Sequence, residues 1–250
     1  MYYLSVGAMF KNERHIIVEW IKHYLHHGVE HFYLINDGST DDTVVQIQEY
    51  IDKGLITLFN VEEPYYLGRQ RNLYNRHILP CIKQTKWLMM VDLDEYVWSR
   101  QSISLPNVLK AAEHLAQIQI RELLFGSNGH EQQPAGLVAS FTKRRAERMV
   151  ENPKLKYIVN SDYEFGSLNI HHANFMDSTF IHRTDKFIIV DPDFLCYNHY
   201  NCQSREHWNT IKCTRGDADN YLVRTEGDFA QYDLNEMEDL ELVQQNASIV

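Results

Sequence analysis

The chain has 250 residues, of which 44% are hydrophobic and 23% charged, a balance typical of a globular protein large enough for one α/β domain. Its formal net charge of −10 argues against nucleic-acid binding, because that needs a basic face to neutralise phosphates. The four cysteines are too sparse for a disulfide scaffold, so we expect reduced thiols. The first residues read as a strand and not as a secretory signal, and no apolar run is long enough for a membrane span, so we expect a cytoplasmic protein.

In chain order, the first half of the sequence predicts strands that alternate with helices. Apolar runs predict strands at residues 2–8, 31–35, 55–61 and 86–91. Apolar side chains between them recur at helical spacing, with Asn12 as candidate N-cap of the first helix and Pro80 as the end of the third. This alternation predicts an α/β fold with a mostly parallel central sheet flanked by helices.

Acidic loops follow two of these strands. Asp92 and Asp94 come directly after the strand at 86–91, and the loop at 36–43 follows the second strand. Because the carboxyl ends of parallel strands share one edge of a sheet, we expect both loops to serve one ligand. In extended backbone the two aspartates point the same way and can hold Mg²⁺ or Mn²⁺ beside substrate phosphates. The alternative for the triplet alone is that Asp92 caps a helix while Asp94 and Glu95 are solvated.

The second half predicts a helix at 105–118, a strand at 121–125 and a loop at 126–131. Two glycines in this loop allow a ligand to approach the backbone, so we place a ligand pocket there. A basic cluster formed by Lys143-Arg144-Arg145 and Arg148 is either solvated or binds an anionic ligand or a membrane surface. Residues 226–250 are acidic and predict a C-terminal helix or tail.

Several short elements resemble the nucleotide-sugar half of the GT-A glycosyltransferases, in particular their family 2-like group: Phe10-Lys11-Asn12-Glu13, residues 36–43 and Asp92-Leu93-Asp94-Glu95-Tyr96. Further elements resemble glycosyltransferase family 92: residues 125–130, Gly136-Leu137-Val138, Asn198-His199-Tyr200, Ser204, Lys212 and Arg215-Gly216. The resemblance implies a single GT-A (Rossmann-like) domain at 1–225, with a nucleotide-sugar half at 1–100 and an acceptor half at 101–225.

The resemblance also implies donor-binding residues. In similar enzymes the acidic residue after the second strand contacts the uracil or its ribose, which corresponds to Asp37, and Glu13 is a second candidate for that pocket. Asp92 would face the ribose. Arg71 opens the helix after the third strand and can meet the diphosphate, whereas Arg69 beside it is equally well explained as solvated surface.

A metal shell is implied by the same resemblance. Asp94, together with Asp92, would hold the cation, and a histidine late in the domain would complete the shell. We assign His199 to this position, with His172 as the second choice, although each can also be a packed histidine. Imidazole beside carboxylate suits Mn²⁺ better than an all-oxygen set does, and Mg²⁺ is the alternative.

The expected function is metal-dependent, inverting transfer of a sugar from a UDP-sugar, with UDP-galactose as first guess, to a glycan or glycoconjugate acceptor. Inversion needs a general base at the acceptor hydroxyl. In the loop that we assign to the acceptor, His130 and Glu131 are the titratable groups, and Asp162 and Glu164 are alternatives.

Two other classes of protein remain open from the sequence. One is a nucleotide-sugar-binding protein without turnover. The other is a nucleotidyltransferase, which is disfavoured because Phe10-Lys11-Asn12-Glu13 lacks the glycines of a triphosphate-binding loop. A Rossmann dehydrogenase is disfavoured because no G-x-G-x-x-G follows a strand.

Overall fold

In the computed structural model, residues 1–151, 154–176, 186–220 and 222–249 are described, and a central sheet carries apolar cores on both faces. The strands in these ranges are β1 Tyr2–Phe10, β2 His31–Asn36, β3 Ile56–Asn60, β4 Thr85–Met90, β5 Glu95–Ser99, β6 Gln117–Leu124, β7 Lys143–Arg144, β8 Leu155–Asn160, β9 Phe165–Leu168, β10 Ala173–Phe175, β11 Phe187–Ile189, β12 Leu195–His199 and β13 Met237–Glu238.

The α-helices are short: α1 Ile17–His26, α2 Thr43–Gln46, α3 Gln48–Asp52, α4 Arg69–Leu73, α5 Leu105–Lys110, α6 Arg205–His207, α7 Phe229–Tyr232 and α8 Glu241–Gln245. A π-helical turn (Tyr74–Ile78) and a 3₁₀-helix (Leu79–Gln84) continue α4. A second π-helical turn (Trp208–Lys212) continues α6, and a 3₁₀ turn (Glu226–Asp228) precedes α7. Within the described ranges, no helix has the length and apolarity that a bilayer crossing requires.

The strand order of the central sheet is β3-β2-β1-β4-β8-β6-β12-β5, and β11 pairs with β6. Strands β1 to β4 are mutually parallel, with Ser5 of β1 opposite both His31 and Leu88. β8 is antiparallel to β4 and β6, and β5 is antiparallel to β12, whereas β11 and β12 run parallel to β6. Parallel pairings dominate, and the predicted α/β fold of GT-A type with a mostly parallel sheet is confirmed.

The apolar run of β4 is buried on both faces of the sheet. Trp87 and Met89 pack in the core that contains α1, whereas Leu88 and Met90 pack in the opposite core with the helical residues that follow α4. A strand covered on both sides has no polar face, which is why its sequence shows no polar alternation. This fully buried strand fixes the position of the acidic turn that follows it at the carboxyl edge of the sheet.

Two helix predictions were wrong in their bounds. The predicted helix at 69–79 does not end at Pro80, because proline occupies the first turn of the following 3₁₀-helix, where its missing N–H is not needed. The predicted helix at 105–118 ends at Lys110 in α5, and Gln117 and Ile118 already belong to β6.

Asn12 links two loops and does not cap α1, which begins at Ile17. Its Oδ1 accepts hydrogen bonds from the backbone N–H groups of Thr40 and Asp41, at 2.7 and 3.3 Å. Its own N–H donates to Ser39 Oγ at 3.0 Å. The loops after β1 and β2 are therefore joined at the carboxyl edge of the sheet.

The acidic C-terminal segment is tied to the basic cluster. Arg144 Nε donates to Asp239 Oδ2 at 2.6 Å with both side chains buried, and β13 pairs with β7 beside them. Arg148 contacts Glu241 at 3.3 Å, and also contacts Asp193. The guanidinium of Arg144 is therefore neither on a solvated face nor open to an anionic ligand, because the protein's own carboxylate occupies it.

Candidate active site

A cavity of about 710 Å³ opens at the carboxyl ends of β1 and β4. The loops after these strands, the end of β12 and residues of the 207–224 region form its wall. Its acidic lining residues are Glu13, Asp37, Asp92, Asp94, Glu95, Asp217 and Asp219, and its basic ones are Lys11, Lys154, Lys156, Lys212, Arg215 and Arg224. As expected from the topology, the acidic loops after β2 and β4 meet at one edge of the sheet.

The chain turns at Leu93 and Asp94, so Asp92 and Asp94 do not lie side by side on an extended strand. The extended backbone that was expected between them is therefore absent, although both aspartates line the cavity. Asp92 Oδ2 contacts Lys156 Nζ at 2.5 Å, and its Oδ1 accepts from Gln70 Nε2 at 3.1 Å. Lys156 is buried and also lies 3.2 Å from Glu95.

The three potential metal ligands that the structure brings together are Asp94, Glu95 and His199, whose ligand atoms lie within 4.8 Å of one another. His199 Nε2 is 3.9 Å from Asp94 Oδ1 and 3.8 Å from Glu95 Oε1. The antiparallel register of β12 and β5 produces this cluster, because it places His199 directly opposite Glu95. Asp94 and His199 of this cluster were predicted as ligands and Glu95 was not, whereas Asp92, the third predicted ligand, is not a member of it.

Glu122 fixes the orientation of the His199 ring. Its Oε2 lies 3.0 Å from His199 Nδ1, and both side chains are buried. With Nδ1 donating to the carboxylate, Nε2 carries the lone pair of the ring and lies 3.9 Å from Asp94 and 3.8 Å from Glu95, as in metal sites where a carboxylate orients the ligating histidine. Beside it, Asn201 Nδ2 lies 3.2 Å from Nε2, and the buried Asn201 Oδ1 has no partner among the described residues. This donor set fits a divalent cation that accepts oxygen and imidazole ligands.

The two carboxyl groups of the cluster differ in pKa. Burial would raise the pKa of Asp94, but the nearby Lys212 ammonium and the His199 ring hold it well below its usual range. Burial raises the pKa of Glu95 to about 7, and repulsion from Asp92 adds to this although Lys156 opposes it. Asp94 is therefore a permanent anion, whereas Glu95 changes its charge near neutral pH.

Asp37 and Arg69 form a partly buried ion pair at the end of the cavity that the loop after β2 lines. Arg69 is almost fully buried, donates from Nη1 to Asp37 Oδ1, and donates from Nη2 to the Glu63 carbonyl at 3.2 Å. The solvated-surface interpretation of Arg69 is therefore wrong. One oxygen of Asp37 is held by this pair while the side chain lines the cavity.

Glu13 also lines the cavity, where it meets Arg215. Its Oε1 lies 3.1 Å from Arg215 Nη2, and Arg215 donates in addition to the Lys11 carbonyl. Burial raises the pKa of Glu13 even though Arg215 opposes the shift.

Arg71 lies outside the cavity. Its Nε donates to Asp219 Oδ2 at 3.0 Å, and the side chain borders a separate groove of about 420 Å³ with Asn72 and Asn75. Arg71 thus reaches the cavity only through Asp219, which lines it. Of the adjacent histidines, His171 lines the cavity and His172 does not, as expected for neighbours that face opposite ways.

The predicted bases lie away from the cavity. His130 Nε2 is bonded to the Ser140 carbonyl at 3.0 Å, and neither His130 nor Glu131 contributes to the lining. Asp162 and Glu164 pair with Lys86 and Lys83 near the amino end of β4, at the other edge of the sheet.

The first part of the loop at 126–131 is covered by the chain itself, so Gly126 does not provide space for a ligand. Asp233 Oδ1 accepts from the Ser127 N–H at 2.7 Å. A Cβ built on Gly126 would lie 2.8 Å from the Leu234 carbonyl oxygen and would overlap Asn235. The glycine is therefore needed for the approach of the C-terminal segment.

The model of glycosyltransferase family 92 matches residues 1–238. The chain belongs to this family. Curated family 92 proteins of Ricinus communis and Oryza sativa subsp. japonica are 22% and 21% identical to it, over 84% of this chain in both cases. The alignments cover 36% and 34% of those proteins, so this family 92 chain spans about a third of the length of the curated relatives that it matches.

Solved structures with similarity to this family 92 chain include S. aureus TarS and a mannosyltransferase. S. aureus TarS in complex with UDP is 15% identical, with a TM-score of 0.47 over 79% of this chain and 60% of that one. The mannosyltransferase PcManGT from Pyrobaculum calidifontis, in complex with GDP-Man and Mn²⁺, is 16% identical, with a TM-score of 0.36 over 49% of this chain and 36% of that one.

Four functional candidates in this family 92 domain escaped prediction from the sequence: Glu95, Glu122, Lys156 and Lys212. Glu95 stands beside the predicted aspartates, and its position opposite His199 depends on the strand register. Lys212 belongs to the family-like motif but carried no predicted role. Glu122 and Lys156 lie on β6 and β8 and carry no local signal, because their partners are distant in sequence.

Proposed function

We propose that this family 92 domain is a metal-dependent glycosyltransferase that moves a sugar from a UDP-sugar, with inversion, to a glycan or glycoconjugate acceptor. The observation that carries the proposal is the cluster of Asp94, Glu95 and His199 inside the cavity, in which Glu122 binds Nδ1 of His199 and leaves Nε2 for a cation. A divalent cation held there supplies Lewis-acid neutralisation of the leaving diphosphate. Mn²⁺ suits this mixed nitrogen and oxygen donor set, and Mg²⁺ is the second choice.

The nucleoside is assigned to the side of the cavity formed by Asp37 and Glu13. The ion pair with Arg69 holds Asp37 in one orientation, so its second oxygen can accept from an N–H of uracil or from a ribose hydroxyl. Asp92 is held in the same way by Lys156 and Gln70. Side chains fixed before the ligand arrives lose little conformational freedom on binding, which favours affinity.

The acceptor is assigned to the part of the cavity beside the 207–224 region. Asp217 and His207 line it there and are the candidate bases for the acceptor hydroxyl, since His130 and Glu131 lie elsewhere. Burial keeps His207 neutral by lowering its pKa well below the usual range. UDP-galactose is the first donor to test.

The test is a calorimetric titration of the protein with UDP, with and without Mn²⁺, on the wild type, Asp94→Asn and the matched control Asp162→Asn. Asp162 is a partly exposed aspartate in an ion pair at the opposite edge of the sheet, so its substitution removes the same charge without touching the cavity. We expect UDP binding that requires Mn²⁺ in the wild type and the control, and is lost in Asp94→Asn.

Equal binding with and without metal would contradict the proposed metal site. Where metal-dependent binding is found, release of free sugar from UDP-galactose and other UDP-sugars tests turnover. If UDP binds but neither sugar release nor transfer to an added glycan is detected, the protein is a nucleotide-sugar-binding protein without turnover.

A further inference from the structure

A lysine ammonium lies against the carboxylate that we assign to the metal. Lys212 Nζ is 3.2 Å from Asp94 Oδ2, on the same side chain whose Oδ1 faces His199. Lys212 is the last residue of the π-helical turn after α6 and lines the cavity. The positive charge that balances Asp94 therefore comes from within the chain.

The two lysines of the site differ in how firmly they are held. Lys156 extends from β8, is 3% exposed and contacts both Asp92 and Glu95. Lys212 has one carboxylate partner, is 21% exposed and sits at the end of a helical turn. Withdrawing Lys156 would leave two buried carboxylates unpaired, which is costly, whereas Lys212 can leave when another cation replaces it.

The segment after Lys212, residues 213–220, is attached to the domain by contacts that water reaches. Arg215 pairs with Glu13, and Asp219 pairs with Arg71, whose side chain is 46% exposed. The Gly68 N–H also donates to the Asp219 carbonyl at 2.8 Å. Water reaches the arginine of each pair, but the Glu13 and Asp219 carboxylates are largely buried, so a shift of the segment has to keep both pairs intact.

We propose that Lys212 is an internal counter-ion of the metal site: it neutralises Asp94 in the metal-free protein, is displaced when a divalent cation binds, and then serves as a cationic contact for the anionic donor. The inference rests on the proposed function. Two cations cannot share Asp94 without repulsion, because like charges a few ångströms apart in a partly desolvated cavity oppose each other. Metal loading and the position of residues 212–220 are therefore linked.

The distinguishing consequence is a pair of opposite effects in Lys212→Gln. Without nucleotide, Mn²⁺ should bind about tenfold more tightly than to the wild type, because its competitor for Asp94 is gone. With saturating Mn²⁺, UDP should bind about tenfold more weakly, because a charge-assisted contact is lost. A residue that only supports the fold would weaken both.

The experiment measures Mn²⁺ binding by electron paramagnetic resonance and UDP binding by calorimetry. Lys212→Arg keeps the charge and should resemble the wild type. Lys154→Gln is the matched control, since it removes another cavity cation, whose ammonium lies over the Tyr232 ring, and should leave Mn²⁺ affinity within about threefold.

A second measurement uses the wild type alone. Adding Mn²⁺ should raise amide hydrogen exchange in residues 212–220, and adding UDP afterwards should lower it again. Unchanged or weaker Mn²⁺ binding in Lys212→Gln, or unchanged exchange in the wild type, would overturn the inference while leaving a metal-dependent transferase intact. Absence of Mn²⁺ binding in the wild type, with and without UDP, would instead reject the proposed function and the inference together.

Discussion

The buried contact between Glu122 and His199 allows the proposed metal site to be tested without touching a ligand. Glu122 lies 3.0 Å from His199 Nδ1 and does not line the cavity. Its substitution leaves Asp94, Glu95 and His199 in place. It removes the charge that makes the imidazole a better ligand and the acceptor that fixes its ring, together with a 4.0 Å contact to Arg145.

We expect Glu122→Gln to weaken Mn²⁺ binding about tenfold and Glu122→Leu about 100-fold, the range found for such supporting carboxylates. These factors correspond to about 1.4 and 2.7 kcal/mol. Glutamine gives the smaller effect because its amide oxygen still accepts from Nδ1. Leucine leaves the buried Nδ1–H of His199 without an acceptor, which also lowers the free energy of unfolding by about 1 to 3 kcal/mol.

The assay is a Mn²⁺ titration of each variant, with thermal unfolding measured in parallel. Glu19→Gln is the control for lost stability, because Glu19 is another partly buried carboxylate that accepts from the Leu137 and Val138 N–H groups, at 2.6 and 3.0 Å, outside the cavity. It should lower the melting temperature and leave Mn²⁺ affinity unchanged. Equal Mn²⁺ affinities in the wild type and Glu122→Leu would refute the assignment of His199 as a ligand.

Three further predictions follow from the geometry. The double substitution of His130 and Glu131 by alanine should leave the rate of donor hydrolysis within about threefold of the wild type, because both residues lie outside the cavity. A fall in this rate of about 100-fold would instead support a role for them as general bases. Mn²⁺ affinity should rise about tenfold between pH 6 and pH 8 and level off above, because the Glu95 carboxyl, with its pKa raised to about 7, must lose its proton to bind; a flat titration series would exclude Glu95 from the shell. Asn246→Ala should lower the free energy of unfolding by about 1 to 3 kcal/mol in chemical denaturation, since the buried amide bonds His23 and His27; an unchanged midpoint would show that these contacts are not made in solution.

The positions of the first four strands along the chain were accessible from the sequence, because each strand is marked by apolar residues that must be buried. The run at 86–91 has no polar alternation, and in the structure its successive side chains enter cores on opposite faces. The meeting of the Asp37 loop with the acidic turn after β4 then follows from the parallel topology alone. What the pattern could not supply is the direction of each carboxylate, because the chain turns at Leu93 and Asp94.

The partners of these carboxylates were not accessible, because they come from elements far along the chain. Lys156 reaches Asp92 across 64 residues and Lys212 reaches Asp94 across 118. Nothing local distinguishes these lysines from solvated ones. An isolated D-x-D element can therefore indicate a cation site without showing which of its members is free to hold the cation.

The glycine at 126 shows how one correct physical inference can support a wrong functional one. Its sequence context indicates that something approaches the backbone closely, and the structure agrees, since any Cβ there would overlap Asn235. The approaching group is the C-terminal segment, whose Asp233 and Asn235 accept hydrogen bonds from the N–H groups of Ser127 and Asn128. A glycine lets another group approach the backbone closely, but tertiary contacts decide which group that is. A glycine in a loop therefore indicates a ligand pocket only when no other part of the chain fills the space beside it.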